Sequence, residues 1–463
     1  MAATYRWEGE AGTWRALPYL EKAEALIEEN PSTPARLRAT AALLRSMNER
    51  SRGDLDAAFD YAERTLGILS SAHSEVRDRL DLRSAALLKR GTIRMLRGEF
   101  HQARLDLEQG LRDADSDLTP RKRVEALGFL TMVEFFTGSI PDAVRVLRAA
   151  RPIADRMPGG LWSAPLEIAE LLIAAERGEL ARHAATLDRL ATDVEGSEFE
   201  FLAQHLRILL AEELGDLDGR FDIVRRMRTL ERQGAGAELL RLLRTGDRAA
   251  ALLDSGDLTR ANIVLRGDHD PGHLICMAAL RARAALAIGD ARGAIVETRS
   301  CVLDEDHPTR SLLASAAVEA EARVALGDLG SADATFRHLL RECATGGTFR
   351  VFRTIPGRVL ARLVARADGR TDLTTAERAV LDVLAASLDA PEPDRSAAVA
   401  LTPREHVVLA RLAAGESPRA IAHALHVSLN TVKSQLRSAY RKLGATSKAG
   451  AVERAQSLGL LTA

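Results

Sequence analysis

Aromatic residues are scarce in this 463-residue chain, 4% of the total, although 46% of its residues are hydrophobic and Ala, Leu and Arg dominate. That profile disfavours a β-sandwich and predicts helices nearly throughout. Cysteine is rarer still: Cys276, Cys301 and Cys343 are an odd set with no CxxC spacing. Core packing, rather than a metal or redox role, is what these cysteines predict. No stretch approaches 18 consecutive apolar residues, and Met1 to Glu10 lacks the sections of a signal peptide, so a soluble cytoplasmic protein without membrane contact is expected. The dipeptide Gly-Lys never occurs, which excludes a P-loop of the GxxxxGK[ST] kind. No nucleophile, base and orienting group recur at a catalytic spacing. A non-enzyme is expected, with no cofactor and no metal.

The formal net charge of −1 conceals an asymmetry. From Leu401 onward there are nine Lys or Arg against three Glu, a surplus of six, so the first 400 residues carry −7. A basic tail on an acidic body points to a polyanionic partner for the tail alone. The length predicts at least two folding units or one long repeat array.

An internal repeat supplies the array. Gly, usually an acid, then an amphipathic run opening on Ala recurs at Gly53-Asp54, Gly98-Glu99, Gly138-Ser139, Gly178-Glu179, Gly215-Asp216, Gly256-Asp257, Gly289-Asp290 and Gly327-Asp328. The steps are 45, 40, 40, 37, 41, 33 and 38 residues, about one helical hairpin each. Each glycine suits the left-handed position that ends one helix, and the next residue suits the N-cap of its successor. Such hairpins cannot bury their apolar faces singly and stack into a superhelical solenoid. The segments resemble tetratricopeptide-like repeats, with most aromatic positions missing and spacings above 34 residues. An array of this kind offers a face to an effector, a protein partner or a second protomer.

Other features of the array read as structure. Arg121-Lys122-Arg123 follows Pro120 at a helix start and forms a solvated face. His269 and His273, beside Asp268 and Asp270, are separated by Pro271-Gly272 and read as a loop rather than a metal site. Met132, Phe135 and Phe136 sit at helical spacing as core. Leu373 to Leu381 echoes Leu401 to Leu409, but nothing like a second and third helix follows, so it reads as a capped helix ending the solenoid. The domains are expected at 1–390 and 400–463, joined by a Pro-rich charged linker at 391–399.

In the tail, Thr402 with Glu405 forms a capping box with Pro403 at the first helical position. That helix runs to about Ala414, stopped by Gly415. Ser417 caps a second helix starting at Pro418, with Ile421, Ala422 and Leu425 inside, and a turn through His426 and Val427 leads to Ser428, cap of a third helix. At 100° per residue, Val432, Leu436, Ala439 and Leu443 fall within about 60° and must face the core. Asn430, Lys433, Ser434, Arg437 and Arg441 fall within about 100° opposite. A fourth helix from Lys448 to about Leu458 closes the domain. A polar, basic helix held by two others fits the major groove of B-DNA.

At these residues the tail resembles the LuxR-type helix-turn-helix: LTPRE, the SxxxIAxxL element and VSxNTVKSQLRxxxxKLG all stand in it, over about 60 residues without a gap. The resemblance implies an all-α chain, a helix-hairpin array followed by a four-helix domain that binds double-stranded DNA. Base contacts are expected from Lys433, Ser434, Arg437 and Asn430, and phosphate contacts from Thr402, Ser417, Thr431, Arg441 and Lys442. The domain core is expected from Ile421, Leu425, Val427, Val432, Leu436 and Leu443. Gln435 stands where that family frequently has His. Receiver domains and acyl-homoserine-lactone sensors need strands, which have no periodicity here. The chain is similar to the repeat and DNA-binding part of the large ATP-binding LuxR-type regulators without their ATPase. What the resemblance implies is a transcriptional regulator, by analogy an activator meeting RNA polymerase, acting as a homodimer through the fourth helix. The alternative is an interaction scaffold that binds DNA without sequence preference.

Overall fold

The repeating glycines become helix corners. In the computed structural model, Gly53, Gly98, Gly138, Gly178, Gly215, Gly256, Gly289 and Gly327 all adopt positive φ, between 69° and 96°. The structure describes residues 9–71, 79–114, 118–138, 140–230, 237–266, 275–302, 308–389, 403–425, 427–443, 445 and 447–457. Two units divide the chain, Met1–Leu384 and Ala385–Ala463. The linker expected at 391–399, the His269 and His273 loop and Thr402 lie outside the described residues.

In the first unit α1 (Gly9–Glu29) precedes a hairpin of α2 (Ala35–Ser51) and α3 (Leu55–Ser71). Next come α4 (Arg79–Leu96) with α5 (Phe100–Ala114), and α6 (Pro120–Thr137) with α7 (Ile140–Ala154). Then follow α8 (Ala164–Glu176) with α9 (Ala184–Asp193), and α10 (Glu200–Leu214) with α11 (Leu217–Leu230). Three further pairs are α12 (Glu238–Asp254) and α13 (Leu258–Arg266), α14 (Ala278–Ala287) and α15 (Ala291–Val302), and α16 (Thr309–Leu326) and α17 (Leu329–Gly346). The short α18 (Arg350–Arg353), α19 (Gly357–Asp368) and α20 (Thr375–Asp389) complete the series. No strand occurs among the described residues.

A Gly-Asp dipeptide builds five of the corners, while Ser139 of the Gly138 corner lies outside the described residues. At Gly327-Asp328 the Asp328 N–H donates to the Arg323 carbonyl at 2.9 Å, closing the old helix, while Asp328 Oδ1 accepts the Ser331 N–H at 3.2 Å, opening the new one. The same double use recurs at Asp54, Asp216, Asp257 and Asp290. Each such cap contributes about 1 kcal/mol. Where the repeat has Glu179 the new helix begins with a 3₁₀ turn at Leu180–His183. There the Glu213 carboxylate, from the next hairpin, accepts the N–H groups of Leu180 and Ala181 at 3.1 and 3.3 Å.

Stacking the hairpins buries a continuous core running from α3 to α12, in which Met132, Phe135 and Phe136 are fully enclosed as expected. Phe136 stacks on Phe100 at 5.7 Å and meets Phe135 edge-on at 5.3 Å. The array also touches itself at long range. Arg310, at the start of α16, lies 4.3 Å over the Phe135 ring and donates to the Phe136 carbonyl at 3.4 Å. Arg350 donates to Glu212 at 2.9 Å, and Arg353 to the carbonyls of Glu213 and Gly178. Gly138 faces this junction, where a Cβ would run into the Thr309 backbone nitrogen.

Burial works against the charge of Glu212, but the guanidinium groups of Arg350 and Arg220 outweigh it and hold the carboxyl down to about 2. Helix α20 opens on a reciprocal capping box: the Thr374 N–H donates to Glu377 at 2.7 Å and the Glu377 N–H to Thr374 Oγ1 at 3.2 Å. That is the capped helix the sequence predicts there.

Candidate nucleic-acid interface

The second unit contains α21 (Pro403–Ala413), α22 (Pro418–Ala424), α23 (Leu429–Lys442) and α24 (Lys448–Ser457). Each boundary has a local cause. Gly415 at φ 92° ends α21, with the Glu416 N–H returning to the Arg411 carbonyl at 3.1 Å. Ser417 Oγ accepts the Ala420 N–H at 3.2 Å, and Pro418 fills the first helical position, where no N–H is needed. Ser428 Oγ accepts the Thr431 N–H at 3.1 Å and lies 2.8 Å from Thr431 Oγ1, starting α23.

Two small clusters hold α23 in place. Val408 and Leu412 of α21, Ile421 and Ala422 of α22, and Val432 and Leu436 of α23 form the first, with Leu425, Leu429 and Tyr440 packed against it. Leu409, Leu443, Ala451 and Ala455 form the second and bring in α24. The sector of Val432, Leu436, Ala439 and Leu443 is buried as the helical wheel requires.

Val427 departs from the expected core. It is 38% exposed and outside both clusters. Its N–H reaches back to the Ala422 carbonyl at 3.0 Å, and this tight turn sends the side chain outward while Leu425 and Leu429 fill the inner side.

On the face of α23 opposite the core, Lys433, Ser434 and Arg437 are exposed together. Neither Lys433 nor Arg437 has an ion pair or hydrogen bond among the described residues. Ser434 Oγ donates to the Thr431 carbonyl at 2.8 Å, so its proton is engaged and its lone pairs remain outward. Thr431 is half-buried, and the exposed Ser417 is occupied as a cap. Asn430 stands in the first turn of α23 and Arg441 and Lys442 at its end; their side chains lie outside the described residues. Sequence reasoning passed over Arg419, which is exposed beside Ser417 and has no ion pair among the described residues. The signal was available, a lone cation two residues past a helix cap.

The arrangement is a three-helix core presenting unpaired cations from one helix, closed by a fourth helix: a helix-turn-helix domain. Residues 399–455 match the bacterial regulatory proteins of the luxR family, and this C-terminal domain belongs to that family. A relative in Bacillus subtilis (strain 168), described as transcriptional regulatory protein YdfI, is 50% identical over 62 residues, 13% of this chain and 29% of that protein. The chain thus spans less than a third of the curated relative it matches. Among the described residues no helix is long and apolar enough to cross a membrane, and no group of three or more His, Cys, Asp or Glu could hold a metal ion.

Proposed function

We propose that the chain is a sequence-specific, DNA-binding transcriptional regulator that lays α23 in the major groove. The observation that carries this reading is the pair Lys433 and Arg437, exposed and unpaired on a helix whose other side is locked into two apolar clusters. Cations without intramolecular partners are free to replace the counterions of a phosphate backbone, and a rigid helix fixes which base edges they meet. Lys433, Ser434, Arg437 and Asn430 read bases. Thr402, Ser417, Thr431, Arg441 and Lys442, with Arg419, contact phosphates.

Two copies bind half-sites about one helical turn apart, with α24 as the contact between their DNA-binding domains. The array, through residue 390, binds an effector, a protein or a second protomer, and residues 391–399 link it to the domain at 400–463. The protein works in the cytoplasm without catalysing a reaction, and as an activator it meets RNA polymerase.

The test is selection from a genomic fragment library by the full-length protein at near-physiological salt, with Lys433→Ala plus Arg437→Ala as control. Enrichment of a near-palindromic site, lost in the double variant, is the expected outcome. Equal, salt-sensitive binding to all fragments, unchanged in the variant, refutes sequence-specific regulation and favours a scaffold with non-specific DNA affinity.

A further inference from the structure

In several hairpins the second helix presents one stripe to solvent, marked by the third or fourth, the seventh and the tenth residues after the corner glycine. In the hairpins of Gly256 and Gly289 this stripe reads Arg260, Ile263, Arg266 and Arg292, Val296, Arg299. All six side chains are exposed, Ile263 by 67% and Val296 by 69%. Arg266, Arg292 and Arg299 form no ion pair among the described residues, and Arg260 only a long one to Asp257 at 3.6 Å. Acids near the stripe are committed elsewhere: Asp257 and Asp290 cap their helices, and Glu297 is held by Arg281 at 3.0 Å. Each stripe thus sets one exposed apolar residue between two arginines.

The first two hairpins carry four acids and no Lys or Arg at the same positions. After Gly53 it reads Asp56, Asp60, Glu63, and after Gly98 His101, Leu105, Glu108. Asp60 is exposed and has no partner among the described residues, and Leu105 is 51% exposed. The in-chain pairs on this face are long or exposed, Asp56 with Arg97 at 3.6 Å and Glu108 with Arg112 at 3.5 Å, while Glu63 reaches Arg90 at 2.5 Å. Arg64 is the one cation on the outer face of α3. Between these two sets of hairpins the stripe is mixed, with Arg145 and Arg148 after Gly138 and Asp222 and Arg225 after Gly215.

We infer that the outer face of α13 and α15 in one copy docks on the outer face of α3 and α5 in a second copy, head to tail. The tenth positions then pair Arg266 and Arg299 with Glu63 and Glu108, while the seventh positions set Val296 against Leu105 and leave Asp60 between Arg260 and Arg266 beside Ile263. Duplex DNA would satisfy the arginines but offers Val296 no apolar counterpart. The two faces lie on different parts of one chain, so the contact is heterologous and can propagate from copy to copy. It is distinct from the α24 contact and needs no DNA.

The experiment is sedimentation velocity of the full-length protein without DNA, across concentration and at low and high salt. Two charge-reversed variants are compared, Arg266→Glu/Arg292→Glu/Arg299→Glu and Asp56→Lys/Asp60→Lys/Glu63→Lys. Wild type is expected to associate, less so at high salt. Each variant alone weakens association by at least about tenfold, the effect of 1.4 kcal/mol, and an equimolar mixture of the two recovers it because each supplies the face the other lost. Recovery on mixing also shows that both variants are folded. A wild type that stays monomeric overturns the inference, as does a mixture no more associated than its components. Unchanged association with weakened, less salt-sensitive DNA binding in the arginine variant overturns it in favour of a phosphate contact.

Discussion

Acidification provides a sharp test of the junction where α18 meets α10. The Glu212 carboxyl is held near 2 against roughly 4.3 in an unfolded chain. A depressed folded value means that its contribution to stability is complete above the unfolded value and disappears as pH falls through the folded one. The gap corresponds to about 3 kcal/mol, of the order expected when one partner of a buried pair is removed.

Glu212→Gln, which cannot ionise, should therefore cost about 3 kcal/mol at pH 7 and progressively less below pH 4, until it matches wild type near pH 2. The assay is urea unfolding followed by tryptophan fluorescence. All three tryptophans, Trp7, Trp14 and Trp162, lie in the array and none in the DNA-binding domain, so the signal reports the array alone. Taking the difference between wild type and variant cancels every other titrating carboxylate. A gap that is constant from pH 7 to pH 3, or absent at pH 7, would refute the reasoning.

Gly138→Ala forces a Cβ against Thr309 at a left-handed backbone position, and the αL penalty alone is about 1–2 kcal/mol; the tryptophan-detected midpoint should fall by at least that much. Leu436→Ala, in the small core behind α23, should cost about 2–5 kcal/mol and melt the DNA-binding domain, seen as lost dispersion of its amide resonances with the array's fluorescence unchanged. Burial pushes the Cys343 thiol up to about 12, so iodoacetamide at pH 8 should modify it only after denaturation, whereas mass spectrometry should find the half-buried Cys276 labelled in the native protein. Equal labelling of the two would contradict the packing around α17.

Local chemistry made much of this fold legible. All eight corner glycines are left-handed because glycine enters that conformation without a Cβ penalty, so their spacing could be read directly as hairpins. The first boundary of α22 and the inner sector of α23 followed from Ser417, Pro418 and the 3.6-residue period. Val427 misled because an apolar residue in a turn looks like core until the turn's hydrogen bond to Ala422 shows which way it points. The charged junction was invisible for another reason: Arg310, Arg350 and Arg353 meet partners more than a hundred residues earlier, and no local pattern distinguishes them from the other arginines of an arginine-rich chain.

That junction changes what kind of object the array is. A solenoid whose hairpins touch only their neighbours can gain or lose a repeat, fray from either end, and unfold in steps. Here α16 and α18 rest on α6, α8 and α10, so removing one intervening hairpin would carry Arg310 and Arg350 away from Phe135 and Glu212 altogether. The number of hairpins between them is thus fixed by geometry, and the segment from Phe135 to Arg353 should open and close as one cooperative block rather than as a row of independent units.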